Sequence, residues 1–186
     1  MNRTFTLVSL VSVLFVASAH SAETDEVGPP KWEISPYSTA ALASEWQGSE
    51  AAGTTFSVST VADYFVAPTV EFGPDVGYTT TTNGGGYAFH IYVGPTLNFS
   101  DTPESAFYVS ARAGLRMLEL AGSGHAYDRF TWIAAFGKRI PLVAHLSWSP
   151  EVSYESRSEA TDDTAGTTID AQKFLSVTPF KFSLLF

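Results

Sequence analysis

Two residues of the sequence, His145 and Ser147, have the side chains and the spacing of a nucleophile and its base. A serine hydroxyl becomes a nucleophile when a base within hydrogen-bonding distance takes its proton and a third group orients that base. Residues i and i+2 of a strand share one face, which Glu151 and Glu155 continue, so a carboxylate is available as the third group. Pairs at this spacing occur by chance on many strands. Whether this pair could act on a substrate therefore depends on which way its face of the strand points.

A larger set of charged residues also lies on one face of alternating segments, where the charges could form ion pairs. This set is Glu33, Asp63, Glu71, Asp75, Arg112, Arg116, Arg139, Glu151, Glu155, Lys173 and Lys181. Acidic and basic members are nearly equal in number. An enclosed charge without a partner costs several kcal/mol, so we expect these residues to pair with one another if their face is inside.

The elements that must position these residues are strands, because apolar and polar residues alternate with a period of two. In 87–99 the odd positions, from Tyr87 to Phe99, are apolar, whereas the even positions include His90, Tyr92 and Asn98. Turn signals divide the chain into eight such runs, at 32–41, 55–66, 69–80, 87–99, 106–119, 129–140, 144–157 and 172–186.

The composition decides which face we expect to be outside. The chain is 45% hydrophobic and 14% aromatic but only 16% charged, against about 25% charged in soluble domains. A lipocalin-like soluble barrel would bury the apolar face. A transmembrane barrel shows its apolar face to lipid, with aromatic side chains at the interfaces, and encloses its polar face. The aromatic, uncharged apolar face favours the transmembrane arrangement.

The N-terminus predicts export. Residues 1–22 read as a signal peptide, with Arg3 in a positive n-region, an apolar stretch over 5–17 and small residues at the cleavage site. We expect 23–31 to be a short periplasmic segment and 32–186 to form the barrel. The chain contains no cysteine, so disulfides do not stabilise it.

Prolines recur inside the predicted strands, at Pro36, Pro74, Pro95 and Pro150, and an even strand number places them in one ring near the periplasmic rim. Proline gives no N–H to a sheet, so we expect β-bulges or strand bends there. Pro68 differs, because it lies in a predicted tight turn.

The C-terminal sequence TPFKFSLLF places Phe180, Phe182, Leu184 and Phe186 in alternation, with Phe186 last. This pattern resembles the assembly signal of bacterial outer-membrane β-barrels, and the chain is similar in size and strand number to the OmpA/OmpX-type family. The resemblance implies an all-β, eight-stranded antiparallel up-and-down transmembrane β-barrel. It also implies location in the cell outer membrane, contact with outer-membrane lipid and lipopolysaccharide, and recognition by the barrel assembly machinery.

Several functions are disfavoured by the sequence. The net charge of −9 disfavours nucleic-acid binding, and His90 and His125 stand alone, so we expect no metal and no cofactor. We expect a structural or surface-interaction role, with an unknown ligand at the loops and a lumen filled by the charged residues. A narrow or gated solute channel is the alternative. The third possibility is a lipid A-modifying enzyme, since the arrangement of His145 and Ser147 faintly resembles that of the lipid A deacylase barrels. The predicted register points these residues into the lumen, whereas lipid substrates approach from outside, so we expect no enzyme.

Overall fold

The structure is a computed structural model that describes residues 30–42, 54–81, 86–119, 126–162 and 167–186. These residues fold almost entirely into antiparallel strands, so the predicted all-β class is confirmed. The strands are β1 (Trp32–Leu42), β2 (Thr54–Ala67), β3 (Val70–Thr81), β4 (Tyr87–Asn98), β5 (Phe107–Glu119), β6 (Ala126–Lys138), β7 (Ile140–Val143), β8 (Leu146–Trp148), β9 (Glu151–Arg157), β10 (Ala160–Asp162), β11 (Thr167–Ile169), β12 (Gln172–Thr178) and β13 (Phe182–Leu185). A turn of 3-10 helix, Pro103–Ser105, joins β4 to β5. In this part of the chain no helix is both long and apolar enough to cross a bilayer. The predicted signal peptide, 1–22, lies outside the described residues.

From β1 to β6, each strand of the main sheet pairs with its neighbour in the sequence, and the C-terminal strand β13 pairs with β1. The strand order of this sheet is β12-β9-β6-β5-β4-β3-β2-β1-β13-β8-β7, and β10 and β11 form a separate hairpin. β13 pairs with β1 through Glu33–Leu185 and Ile34–Leu184. The backbone N–H of Phe186 also donates to the carbonyl of Trp32, so the two ends of the barrel sequence are joined.

The structure has more strands than the eight runs predicted from the sequence. The run 144–157 is split into β8 and β9 at Ser149–Pro150, and the run 172–186 is split into β12 and β13 at Pro179–Phe180. Proline has no N–H for the neighbouring strand, which explains a break at each of these points. The connection between the predicted runs 129–140 and 144–157 is instead part of β7, which pairs with β8.

The expected bulges are absent at three of the four prolines. β1 pairs with β2 without a shift at Pro36, and the register of β2 with β3 is the same on both sides of Pro74. The register of β4 with β5 is likewise unchanged across Pro95. Register shifts occur instead between Phe65 and Ala67, beside the turn at Pro68, and between Pro141 and Val143.

Pro74 and Pro95 each follow a glycine that packs closely against the neighbouring strand. A Cβ placed on Gly73 would lie 2.0 Å from the carbonyl oxygen of Ala62, and one on Gly94 would lie 2.0 Å from the carbonyl oxygen of Ala111. The opposite strand therefore approaches the glycine that precedes each proline more closely than any side chain permits. The unshifted registers exclude bulges at Pro36, Pro74 and Pro95, whereas strand bends there stay a prediction.

The two faces of the sheet have opposite polarity. Large apolar side chains are exposed on one face, among them Ile91, Leu115 and Trp132, which is 42% exposed. Charged side chains are buried on the other face, where Arg112 is 6% exposed and Glu71 is 0% exposed. The soluble alternative requires the opposite arrangement.

Candidate functional site

Hydrogen bonds between strands that are not neighbours show that the polar face encloses an interior. Asp63 of β2 binds Arg112 of β5, although β3 and β4 lie between these strands. The hydroxyl of Tyr108, on β5, donates to Glu151 of β9 at 3.0 Å across β6. Side chains span such distances only when the sheet curls and its polar face is concave.

The end of the interior nearest Lys31 and Phe186 holds the densest group of bonds, which we call the base cluster: Glu33, Glu71, Asn98 and Arg139. The Arg139 guanidinium donates to both carboxylates, at 2.8 Å to Glu71, and to the Asn98 side-chain oxygen. Asn98 also donates to Glu71. Arg139 is 1% exposed, so its charge is stable there only because two carboxylates accompany it.

The connection between β4 and β5 packs beneath the base cluster. The carbonyl of Pro103, a buried residue, accepts a bond from Arg139 at 3.3 Å. The hydroxyl of Ser147 donates to the carbonyl of Glu104 at 2.8 Å, and Lys138 donates to the carbonyl of Ser105. Protein atoms therefore fill this end of the interior.

The middle of the interior holds an ion pair with two parallel bonds. Arg112 donates to the two carboxylate oxygens of Asp63 at 3.1 and 2.6 Å, and to the hydroxyl of Thr96 at 2.8 Å. Thr96 in turn donates to Asp63 at 3.1 Å. A bidentate arginine–carboxylate pair is the strongest form of this interaction and holds both side chains in one orientation.

Two further groups complete the charged interior next to the ion pair. Asp75 accepts a bond from the hydroxyl of Tyr37 at 2.8 Å, and the His90 ring lies 3.4 Å from the same carboxylate. Lys181 donates to Glu151 at 2.7 Å. The interior thus pairs opposite charges between several strands.

The half of the interior farthest from the termini is more basic. Arg157 donates to Glu155 at 2.6 and 3.0 Å and lies over the ring of Phe174. Arg116 is buried on β5 and faces Arg129 of β6. Arg129 is not in the charged set predicted from the sequence. The alternation of β6 places Arg129 on the same face as Thr131, so its parity was a usable signal, but it stands at the first residue of the predicted run.

Lys173 requires a correction, because the structure places it on the exposed face with Leu175 and Val177 rather than in the interior. Thr178 is buried and so is Lys181, although a regular strand would turn these two residues to opposite faces. The break at Pro179–Phe180 adds one residue and reverses the alternation. The predicted interior position of Lys173 requires an unbroken alternation between Lys173 and Lys181, and this break interrupts it.

The C-terminal residues Phe180, Phe182, Leu184 and Phe186 lie on the outward face, and Phe180 is 66% exposed. The backbone carbonyl of Phe186 accepts bonds from the amides of Lys31 and Trp32, each at 2.8 Å. The last residue therefore has a structural role at the β1–β13 junction in addition to its predicted role in assembly.

The suggested nucleophile and base are not placed for catalysis. Ser147 is buried and its hydroxyl is bound to the carbonyl of Glu104, while His145 lies in the β7–β8 turn with φ 65°. In the described parts of the chain no group of three or more histidine or acidic side chains is positioned to hold a metal ion.

Comparison with known proteins identifies the fold. No protein-family model and no curated protein matches the chain. The structure is similar to the crystal structure of Neisserial surface protein A, with a TM-score of 0.57, 12% identity and coverage of 83% of this chain and 95% of that one. The outer membrane protein AlkL, solved by solid-state NMR in lipid bilayers, matches with a TM-score of 0.45 and 13% identity, over 89% of this chain and 94% of that one. The likeness to Neisserial surface protein A shows that this chain has the fold of the small outer-membrane β-barrel proteins.

Proposed function

We propose that the protein is an eight-stranded barrel of the Gram-negative outer membrane with a structural or surface-interaction role. β8 and β9 are then one membrane strand interrupted at Pro150, and β12 and β13 are another interrupted at Pro179. Together with β1 to β6 these make eight strands, an even number that leaves both termini on the periplasmic side. β7 becomes part of a periplasmic hairpin.

The exposed apolar face supports the membrane location. Aromatic side chains lie exposed near the ends of the strands, for example Trp32, Phe107 and Tyr87, and aliphatic ones such as Ile91 and Val93 lie between the ends. This distribution suits headgroups at the interfaces and acyl chains in the middle. The lipids in contact with this face include lipopolysaccharide in the outer leaflet.

The observation that carries the proposed role is the filled interior near the termini. Arg139, Glu33 and Glu71 are bonded across it, and the turn at Pro103 packs against them. An eight-stranded barrel has room for its own side chains and little more. A structural protein that acts through its loops therefore fits better than a channel.

Two experiments test this proposal. Membrane fractionation followed by a gel with and without boiling should give an outer-membrane protein whose mobility changes on heating. A soluble fraction without heat-modifiability would refute the membrane assignment. Planar-bilayer recording of the refolded protein should show no stepwise conductance, and reproducible steps would favour the channel alternative instead.

The enzymatic alternative has a direct test. Mass spectrometry of lipid A from cells with and without the protein should give identical spectra. A change abolished by Ser147→Ala would overturn the proposed role and assign Ser147 to catalysis.

A further inference from the structure

Two buried arginines face each other in the outer half of the interior, the half remote from the chain termini. Arg116 of β5 is paired in register with Arg129 of β6, and these residues are 9% and 2% exposed. Like charges directly opposite on neighbouring strands destabilise a sheet, and burial increases the cost. Within the described parts of the chain neither arginine has a carboxylate within 4.0 Å.

The partners of Arg129 within the described ranges are neutral. Its guanidinium donates to the carbonyls of Ser158 and Asp170 at 2.9 and 2.5 Å, and to the side-chain oxygen of Gln172 at 2.9 Å. These bonds orient the guanidinium without neutralising its charge. The nearby carboxylates already have partners, since Glu155 accepts two bonds from Arg157.

Among the residues that the structure describes, three buried polar atoms beside the arginines have no hydrogen-bond partner. They are Nδ1 of His90, the hydroxyl oxygen of Tyr92 and the hydroxyl oxygen of Thr131. These residues are 5%, 1% and 0% exposed, respectively. The Tyr92 hydroxyl lies beside Arg116 and Thr131. Buried polar groups of native proteins are almost always well bonded, so three such atoms in one place indicate room for an additional partner.

The sheet register brings these atoms to the same place as the arginines. His90 is paired with Arg116, and Arg116 with Arg129, in one row across β4, β5 and β6. Tyr92 and Thr131 are both paired with Gly114, which lacks a side chain, in the adjacent row. The five side chains therefore surround one small region of the interior.

We propose that this region binds a small oxyanion, with phosphate or a carboxylate as the recognised group. Arg116 and Arg129 supply two positive charges, and the hydroxyls of Tyr92 and Thr131 supply neutral donors. Guanidinium groups bind such oxygens through parallel charge-assisted bonds, and the anion removes the repulsion between the two arginines. Asp170 and Gln172, which bind Arg129, are exposed, so this region lies next to the surface of the protein.

The test uses inorganic phosphate as the probe and residues 23–186 refolded in a non-ionic, phosphate-free detergent. Phosphorus NMR of phosphate should show saturable line broadening with the unaltered protein. Arg116→Gln and Arg129→Gln should each weaken binding about tenfold or more, because each removes a charge-assisted bond. Lys173→Gln makes the same change of charge on the exposed face and should leave binding unchanged.

Further variants and a second probe keep the test decisive. Tyr92→Phe and Thr131→Val preserve charge and shape and should weaken binding severalfold; if neither does, the site is wrong even where the arginine variants fail to refold. Absence of saturable binding, or equal weakening by Lys173→Gln, also overturns the proposal. A phosphate monoester with a short acyl tail distinguishes the sources of the oxyanion: tighter binding than phosphate assigns a lipid headgroup, and weaker binding assigns a free anion.

Discussion

Arg112 illustrates how a single residue of the interior depends on its partner. Two of its nitrogens bind the carboxylate of Asp63, and one of these also binds Thr96. Removing one member of a buried ion pair leaves the other charge enclosed without compensation. Such a change is costlier than replacing both members, because the remaining charge keeps its desolvation penalty.

We expect Arg112→Ala to lower the free energy of unfolding by about 3–5 kcal/mol, the usual cost of breaking a buried pair. The exposed control Lys173→Ala should change it by no more than about 0.5 kcal/mol. Urea unfolding in detergent micelles, followed by tryptophan fluorescence, measures both. Adding Asp63→Ala to Arg112→Ala should cost less than the sum of the single changes; additive losses would mean that the two side chains do not interact.

Gly73 and Gly77 both lie on the buried face of β3, so the effects of adding a side chain at the two positions can be compared. A Cβ at Gly73 meets the backbone oxygen of Ala62 at 2.0 Å, whereas a Cβ at Gly77 meets the side chains of Ser59 and His90 at 2.2 and 2.3 Å. Side chains can rotate away, but the backbone of a paired strand cannot move without loss of its hydrogen bonds.

We therefore expect Gly73→Ala to destabilise the protein by more than Gly77→Ala, with the former above the roughly 1–3 kcal/mol typical of overpacking. The samples are heated to a series of temperatures and run on a gel without boiling. The fraction that still migrates as the folded form compares the stabilities of the two variants. Equal melting temperatures would mean that β2 can move away from β3 at Pro74.

At the scale of the strand, the junction of β13 with β1 depends on the final residue. Phe186 contributes three backbone hydrogen bonds to Lys31 and Trp32, and its side chain is 42% exposed on the outward face. The proposed assembly signal and the structural junction thus coincide in one residue, and an experiment can separate them.

Phe186→Ala keeps the backbone bonds and removes only the outward ring. We expect this variant to refold in detergent like the unaltered chain but to give less heat-modifiable protein in cells, because we propose that the assembly machinery recognises this side chain. Deletion of Phe186 should impair both. Normal assembly of Phe186→Ala in cells would exclude a role of its ring in recognition.

Over the whole molecule, the outward face should be sensitive to charge in proportion to depth in the bilayer. Val93, near the middle of β4, and Tyr87, at its outer end, are 47% and 44% exposed on the same face. We expect Val93→Arg to cost about 2–4 kcal/mol in lipid vesicles and Tyr87→Arg about 0–1 kcal/mol. Guanidinium unfolding in vesicles measures both costs. Equal costs would contradict a bilayer whose midplane lies near Val93.

The sequence predicts the inward and outward faces correctly for some strands and not for others. Alternation assigned β3, β4 and β5 to the correct faces because side chains of a strand must alternate. It failed at Lys173 because the break at Pro179 reverses the alternation, and no local pattern marks how many residues a break adds. It missed Arg129, although this residue has the parity of the buried face, because Arg129 stands at the very start of the predicted run.

The sequence by itself determined the class of fold and the polarity of the two faces, because both follow from a period of two and from a composition rich in aromatic residues and poor in charge. Only the tertiary structure decided which charges meet. Asp63 and Arg112 come together because of the curl of the sheet and the stagger of its strands, and these are properties of the whole sheet rather than of any one strand. The same geometry brings Arg116 to face Arg129, so the proposed oxyanion site was visible only after folding.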